Sequence, residues 1–157
     1  MRISLDVHGV IDKRPDFFAW LTRELVKENW KVFITTGQKM GIDLIRELDG
    51  YRVVYHHVMS VTTYHQLRGT PMWYKNGDPT QPMMAGVLWD STKAYLCKKA
   101  SIDLHIDDSD VYGEYFTGDT LYVNIKEFSN FAGLFDIVKE KVYESRGTEH
   151  KKNQLGV

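Results

Sequence analysis

Apolar residues recur along this chain in two alternating rhythms. Arg2 to Val7 is a short β-rich run ending at His8-Gly9, which predicts a strand and then a turn. Pro15 suits a first helical turn. Beyond it Phe17, Phe18, Leu21, Leu25 and Val26 fall three and four apart, so a helix with one apolar face follows. Lys31 to Thr35 predicts a second strand, stopped by Thr36-Gly37. Gln38 to Leu48 forms a second amphipathic pattern through Ile42, Leu44, Ile45 and Leu48, with Gly50 placed as its C-terminal cap. Tyr51 to Tyr55 predicts a third strand.

From His56 to Met84 the rhythm stops. Asn76-Gly77 marks a turn, and Pro79 and Pro82 oppose regular structure around them. So long an irregular stretch within a domain is expected to be functional or partly disordered. Asp90 or Ser91 then caps a helix reaching about Ala100, and Ile102 to Ile106 gives a fourth strand. After a loop at Asp107-Asp108-Ser109-Asp110 come a short strand, Leu121 to Ile125, and a helix from about Ser129 to Glu144. That helix turns Phe131, Leu134, Phe135, Val138 and Val142 inward. The tail after Ser145 is polar and basic and is expected to fray. No internal repeat or low-complexity tract interrupts the pattern.

Strands alternating with helices predict a three-layer, Rossmann-like α/β fold with a mostly parallel sheet flanked by helices. One domain over residues 1–145, with a lid-like insert near 56–84 and a disordered tail at 146–157, accounts for the whole chain. Ligands of such sheets bind outside the carboxyl ends of the strands. The polar residues gather at those ends: Asp6 and His8 after strand one, Thr35 and Thr36 at strand two, Asp107 and Asp108 at strand four.

Composition narrows the class. With 43% apolar and 26% charged residues, the 157-residue chain is ordinary for a folded domain. Twenty basic against 21 acidic residues leave a net charge of −1, which argues against a stable complex with nucleic acid through a broad positive field. The single cysteine, Cys97, allows no internal disulfide. No apolar run approaches the ~20 residues that span a bilayer. Asp6 also comes too early for a signal peptide. A cytoplasmic protein without membrane contact is expected.

Asp6, Asp107 and Asp108 would bring three carboxylates to one sheet edge, an arrangement that needs a neutralising proton or cation. Carboxylate oxygens with waters suit Mg²⁺. Beside such an ion Asp6 could attack phosphorus and form an aspartyl-phosphate. The Thr36 hydroxyl and the amides of Gly37 and Gly9 could bind phosphoryl oxygens, and Lys93, in the first turn of its helix, could neutralise charge that builds during transfer. Each residue alone has a plainer reading: an aspartate at a strand end as a turn or cap, Thr36-Gly37 as a helix start, Lys93 as a surface lysine. Their ordered placement at successive strand ends is what favours the chemistry.

These runs resemble the haloacid-dehalogenase superfamily. Leu5-Asp6-Val7-His8-Gly9-Val10 is similar to its first motif, Asp-x-Asp-Gly-Thr/Val after a hydrophobic strand. Phe33-Ile34-Thr35-Thr36-Gly37 is similar to the second, Lys93 to the third, and Leu104-His105-Ile106-Asp107-Asp108 to the fourth. The motifs keep the family's order over about residues 2 to 125. The resemblance implies a Mg²⁺-dependent phosphatase with Asp6 as nucleophile and metal ligand. It implies a metal site completed by Asp108 with Asp107 and by the backbone carbonyl of His8. Thr36 would bind the phosphoryl group, with Thr35 in its place if the strand register differs by one. Lys93 would steady nucleophile and phosphate, with Lys98 and Lys99 as fallbacks.

His8 departs from the pattern, since the family's phosphatases place a second aspartate there as acid and base. A histidine can do both jobs near neutral pH, although imidazolium beside Mg²⁺ is disfavoured. The leading expectation is therefore a phosphomonoesterase acting on a small phosphorylated substrate such as a nucleotide or a nucleic-acid end. The alternative is a catalytically weak or inactive binding or regulatory module that keeps the metal site. A receiver-like domain is disfavoured, because its acid pair would follow the first strand. About two dozen residues separate the first two motifs, too few for a cap domain, so the 56–84 stretch is the expected lid. Tyr64, His65, Arg68, Trp73, Tyr74 and Lys75 there suit base stacking and phosphate contact, or ordinary packing over the sheet edge. His56 and His57 lack a third ligand at metal spacing and are expected at the surface or in the lid. His105 is expected to be a hydrogen-bonded sheet residue.

Overall fold

Side chains alternate across a strand, so Ile3, Leu5, Val32, Ile34, Leu104 and Ile106 face one side of a sheet and Ser4, Phe33, Thr35 and His105 the other. The computed structural model describes residues 1–77, 82–128 and 130–154. Pro79, Ser129 and residues 155–157 lie outside these, and of Val142 only the backbone is described. In chain order the first half contains β1 (Arg2–Leu5), α1 (Pro15–Lys27), β2 (Lys31–Thr36), α2 (Ile42–Tyr51), β3 (His57–Ser60) and α3 (Val61–Leu67). The second half contains β4 (Trp73–Tyr74), β5 (Pro82–Met83), α4 (Gly86–Lys99), β6 (Leu104–Asp107), α5 (Asp110–Gly113), β7 (Leu121–Asn124) and α6 (Phe131–Gln154).

Five strands form one parallel sheet in the order β3-β2-β1-β6-β7. On one face Phe18, Leu21 and Leu25 of α1, Leu44 and Leu48 of α2, and Leu134 and Val138 of α6 pack against the alternating aliphatics of β1, β2 and β6. Each such side chain, fully buried, is worth roughly 1.5–3 kcal/mol, so this face supplies most of the apolar stability. The opposite face, under α4, holds a small apolar cluster of Phe33, Cys97 and Ile102. Around it lie the buried polar groups of Ser4, Thr35, Thr92, Lys93, His105 and Asp107. The result is the expected three-layer, Rossmann-like fold with helices on both faces of a parallel sheet. Among the described residues no helix is long and apolar enough to cross a membrane.

Several boundaries differ from the sequence pattern. Gly50 lies inside α2, which runs on to Tyr51, and the left-handed cap is Arg52 at φ 57°. Val53 then turns into the core while the Val54 amide donates to Thr22 Oγ1 at 3.0 Å, so β3 begins at His57 and not at Tyr51. Ile42, counted on the apolar face, is 61% exposed, and residues 38–41 form a loop ahead of the helix. Within the supposedly irregular segment, Val61–Leu67 is helical. Its β-branched Val-Thr-Thr start conceals that, and Ser60 Oγ caps it by accepting the Thr63 amide at 3.0 Å.

Asn76 (φ 54°) and Gly77 (φ 76°) lie between the two strands of the antiparallel β4–β5 hairpin, and Pro82 pairs with Tyr74. The helix expected from Asp90 or Ser91 starts at Gly86, which puts Lys93 about two turns inside it and not in its first turn. The Asp107–Asp110 loop is short, because Ser109 caps α5. The final helix continues past Glu144 through Gln154, over part of the stretch expected to fray. No proline interrupts it, and an established helix propagates easily.

Strand order reverses at β1, which has β2 on one side and β6 on the other. The crevice outside the carboxyl ends of β1 and β6 is thus where this topology places a ligand.

Candidate active site

Asp6 leaves β1 at that crevice. Its amide donates to Ile106 O at 3.0 Å, which fixes it beside β6, and its Oδ1 accepts the Val7 amide at 2.8 Å. The chain then turns back sharply. Gly9 takes φ +86°, and a Cβ at this position would overlap the Asp108 carboxylate, so only glycine lets the two segments approach so closely. The Gly9 amide, expected to face a phosphoryl oxygen, instead donates to Asp12 Oδ1 at 2.7 Å. That donor is already used within the turn.

Lys93 reaches in from α4 on the other side. Its Nζ lies 2.8 Å from Asp6 Oδ2 and 2.6 Å from Asp107 Oδ2, and 4.6 Å from the centre of the Tyr112 ring. Lys98 and Lys99 sit in the last turn of α4, away from this ammonium, and Lys98 lines a separate pocket.

The carboxylates differ in what holds them. Asp107 Oδ1 accepts the amides of Asp108 and Ser109, while Oδ2 meets both Lys93 and His105 Nε2, the latter at 3.2 Å. Burial opposes its charge, but the His105 hydrogen bond and the Lys93 charge prevail and hold this carboxyl well below the usual range. Asp6 has fewer donors. Burial raises its pKa, Lys93 opposes that, and the charge of Asp107 adds to it. His105 is fully buried, stacked on Phe116 with ring centres 5.1 Å apart. Burial disfavours its charge, yet interactions with Cys97 and Asp107 lift it to about 9. It is the sheet residue the sequence suggested, and it braces Asp107. Asp108 is the outermost acid, 3.3 Å from Lys126 Nζ. One carboxylate oxygen from each of Asp6, Asp107 and Asp108 falls within 4.8 Å of the others.

The end of β2 completes the arrangement. Thr35 Oγ1 is buried against Ser4 Oγ at 2.5 Å, on the α4 face. Thr36, one residue on, lines the crevice and accepts the Gln38 amide at 3.2 Å. Of the two threonines, only Thr36 is therefore placed to meet a ligand there.

Asp6, His8, Thr36, Gly37, Lys93 and Asp108 line one cleft of about 660 Å³, within the usual range for small-molecule sites. His8 stands at its mouth with its side chain 56% exposed, and Nε2 lies 3.1 Å from Glu47 Oε1. That same oxygen accepts the Tyr51 hydroxyl at 3.0 Å.

The aromatic groups of the cleft are Trp89 and Tyr112, joined by an indole N–H to hydroxyl bond of 2.9 Å. Gly37 leaves room for Trp89, whose Cζ2 would lie 2.8 Å from a Cβ there. Trp73 and Tyr74 project outward on the hairpin, and Arg68 lies over Tyr64, 5.2 Å from the ring centre. His65 is buried and bonded to Thr70 and Thr92, while His56 and His57 are exposed at the edge of the sheet. Of the hairpin's described residues only Pro82 lines the cleft. Glu47, Trp89 and Tyr112 escaped the sequence reading, because nothing in their local spacing marks them.

Compared with known proteins, the chain matches no family model and no curated sequence.

Proposed function

We propose that this protein is a Mg²⁺-dependent phosphomonoesterase with Asp6 as nucleophile, in line with the haloacid-dehalogenase resemblance of its sequence. The observation that supports this most is the convergence of Asp6, Thr36, Lys93 and Asp108, from four separate stretches of chain, on one cleft at the switch point of the sheet. The donor set suits a hard divalent cation, since three carboxylates each offer an oxygen within 4.8 Å of the others. Asp6, Asp107 and Asp108 with the His8 carbonyl would hold Mg²⁺, which when bound neutralises charge on the phosphoryl oxygens.

An Asp6 carboxylate oxygen attacks phosphorus as the bond from phosphorus to the leaving oxygen breaks. The leaving oxygen takes a proton from His8 imidazolium. Water then attacks the aspartyl-phosphate, gives its proton to His8, and releases inorganic phosphate with the Asp6 carboxylate restored. Thr36 donates its hydroxyl to a phosphoryl oxygen, and Lys93 offsets the charge that builds there.

The decisive experiment is a phosphomonoester screen with and without Mg²⁺, beside Asp6→Asn. Mg²⁺-dependent turnover that Asp6→Asn abolishes, with its melting transition intact, supports the reading. Turnover that survives in Asp6→Asn overturns it. The pairing of His8 with Glu47 favours a second reading, a module that binds phosphorylated ligands and turns them over slowly. Mg²⁺-dependent binding of beryllofluoride without hydrolysis by the wild type selects that one.

A further inference from the structure

The loop that follows Thr36 is held from behind by three hydroxyl-bearing residues at the start of α3. Thr62 Oγ1 donates to Gly37 O at 2.5 Å, Ser60 Oγ donates to Gln38 O at 2.6 Å, and Thr63 Oγ1 accepts the Met40 amide at 2.8 Å. Thr62 is 1% exposed and lies outside the cleft lining. The first of these bonds has a consequence at the far side of the loop. In a trans peptide the C=O and N–H point in opposite directions, and every peptide bond described here is trans. With the Gly37 carbonyl fixed on Thr62, the N–H of the same peptide, that of Gln38, faces the opposite way. There it donates to Thr36 Oγ1 at 3.2 Å.

A hydroxyl that accepts a hydrogen bond keeps its own proton free to donate. Thr36 lines the cleft with its oxygen already satisfied by the Gln38 amide, so its proton is available to an oxyanion in the cleft. We propose that Thr62 is a positioning residue for phosphate: through the Gly37–Gln38 peptide it sets Thr36 as a donor to a phosphoryl oxygen. The chain of donors runs from the Thr62 hydroxyl to the Gly37 carbonyl, then from the Gln38 N–H to the Thr36 hydroxyl. Bonds linked in this way polarise one another. The inference rests on the phosphomonoesterase reading and goes beyond it, by assigning a buried residue of α3 a part in binding the phosphoryl group.

The test uses the full chain with millimolar Mg²⁺ and inorganic phosphate as the probe. Thr62→Val keeps the shape and removes the hydroxyl. It should weaken phosphate binding, and raise KM for a phosphomonoester, by roughly three- to tenfold, the factor that the net worth of one neutral hydrogen bond corresponds to. kcat should change less. Thr62→Ser keeps the donor and should restore wild-type affinity. A side chain that served stability alone would lower the melting temperature and leave the phosphate affinity of the folded protein unchanged, and that result overturns the proposal. If Thr62→Val does not fold, the wild type still decides: in a ¹⁵N-resolved phosphate titration the Gln38 amide resonance should shift with saturation. Saturable binding with Gln38 unmoved overturns the proposal while leaving the phosphatase reading in place. No phosphate binding at all overturns both.

Discussion

Lys93 Nζ and Asp6 Oδ2 lie 2.8 Å apart with only 4% and 9% of their side-chain surfaces exposed. A buried carboxylate is stable only with a partner, and here the partner is an ammonium that also contacts Asp107. The site thus contains a cation of its own before any metal binds.

Removing that ammonium should be costly to the fold. Lys93→Met leaves Asp6 and Asp107 buried together without their shared partner, and breaking a buried pair costs about 3–5 kcal/mol. Urea denaturation should show a loss of that order. An added divalent cation should recover more stability in Lys93→Met than in the wild type. A variant as stable as the wild type without metal would mean that the pair is not what keeps the carboxylates buried.

Mg²⁺ itself should stabilise the wild type. A ligand at one hundred times its dissociation constant adds about 2.7 kcal/mol to the native state. Thermal melts across a Mg²⁺ series measure this, and Asp108→Asn, which alters the most exposed acid of the three, should reduce the shift. An equal shift in both proteins would place the ion elsewhere.

His8 separates a working phosphatase from a silent site. If it transfers the proton, His8→Ala should lower the rate by about 10²- to 10⁴-fold. The loss should be smaller on aryl than on alkyl phosphates, since a good leaving group needs less protonation. His8→Asp should restore or raise the rate. Equal rates for wild type and His8→Ala on both substrates remove His8 from the mechanism.

Acid should weaken the latch between α3 and α4. His65 joins Thr70 and Thr92, and its pKa is held below the ordinary 6.5, chiefly by burial and next by the charge of Arg68. Below about pH 6.5 the unfolded chain binds a proton that the folded protein resists, so stability falls with acidification until the depressed folded pKa is passed. Urea midpoints measured between pH 7.5 and 5.5 should decline less in His65→Gln than in the wild type. Parallel declines would exclude His65 as the source.

Gly9→Ala tests the closeness of the turn to Asp108. The left-handed conformation alone costs about 1–2 kcal/mol for a residue with a Cβ, and the overlap with the Asp108 carboxylate adds to it. The melting temperature and the Mg²⁺ response should therefore fall together. A Mg²⁺ response as strong as that of the wild type would show that Asp108 has room to move.

What the sequence disclosed follows from where the determining contacts lie. α1 and the strands β1, β2, β6 and β7 carry their signals in consecutive residues, and so did the order of Asp6, Thr36, Lys93 and the acid pair. Other features depend on partners distant in the chain. Gly50 looked like a cap, but Leu48 and Val53 are buried on either side and carry the helix past it to an arginine in the left-handed region. The start of α3 reads as β-branched, and its hydroxyls bond to the β2–α2 loop more than twenty positions earlier. Glu47 meets His8 only once α2 has packed beside α1. The Gly9 amide looked free because its acceptor, Asp12 Oδ1, is brought to it only by the turn that follows β1.

The pairing of β1 with β6 also has a temporal side. Arg2 and Asp103 join across 101 positions, and contacts so remote in sequence form slowly, because the intervening chain must first be ordered. Lys93 and Asp107 belong to the part of the chain that arrives with β6. Before that seam closes Asp6 lacks Lys93, Asp107 and Asp108 as neighbours. The Asp6 carboxylate and the Lys93 ammonium that neutralises it therefore meet only when the two halves of the sheet join.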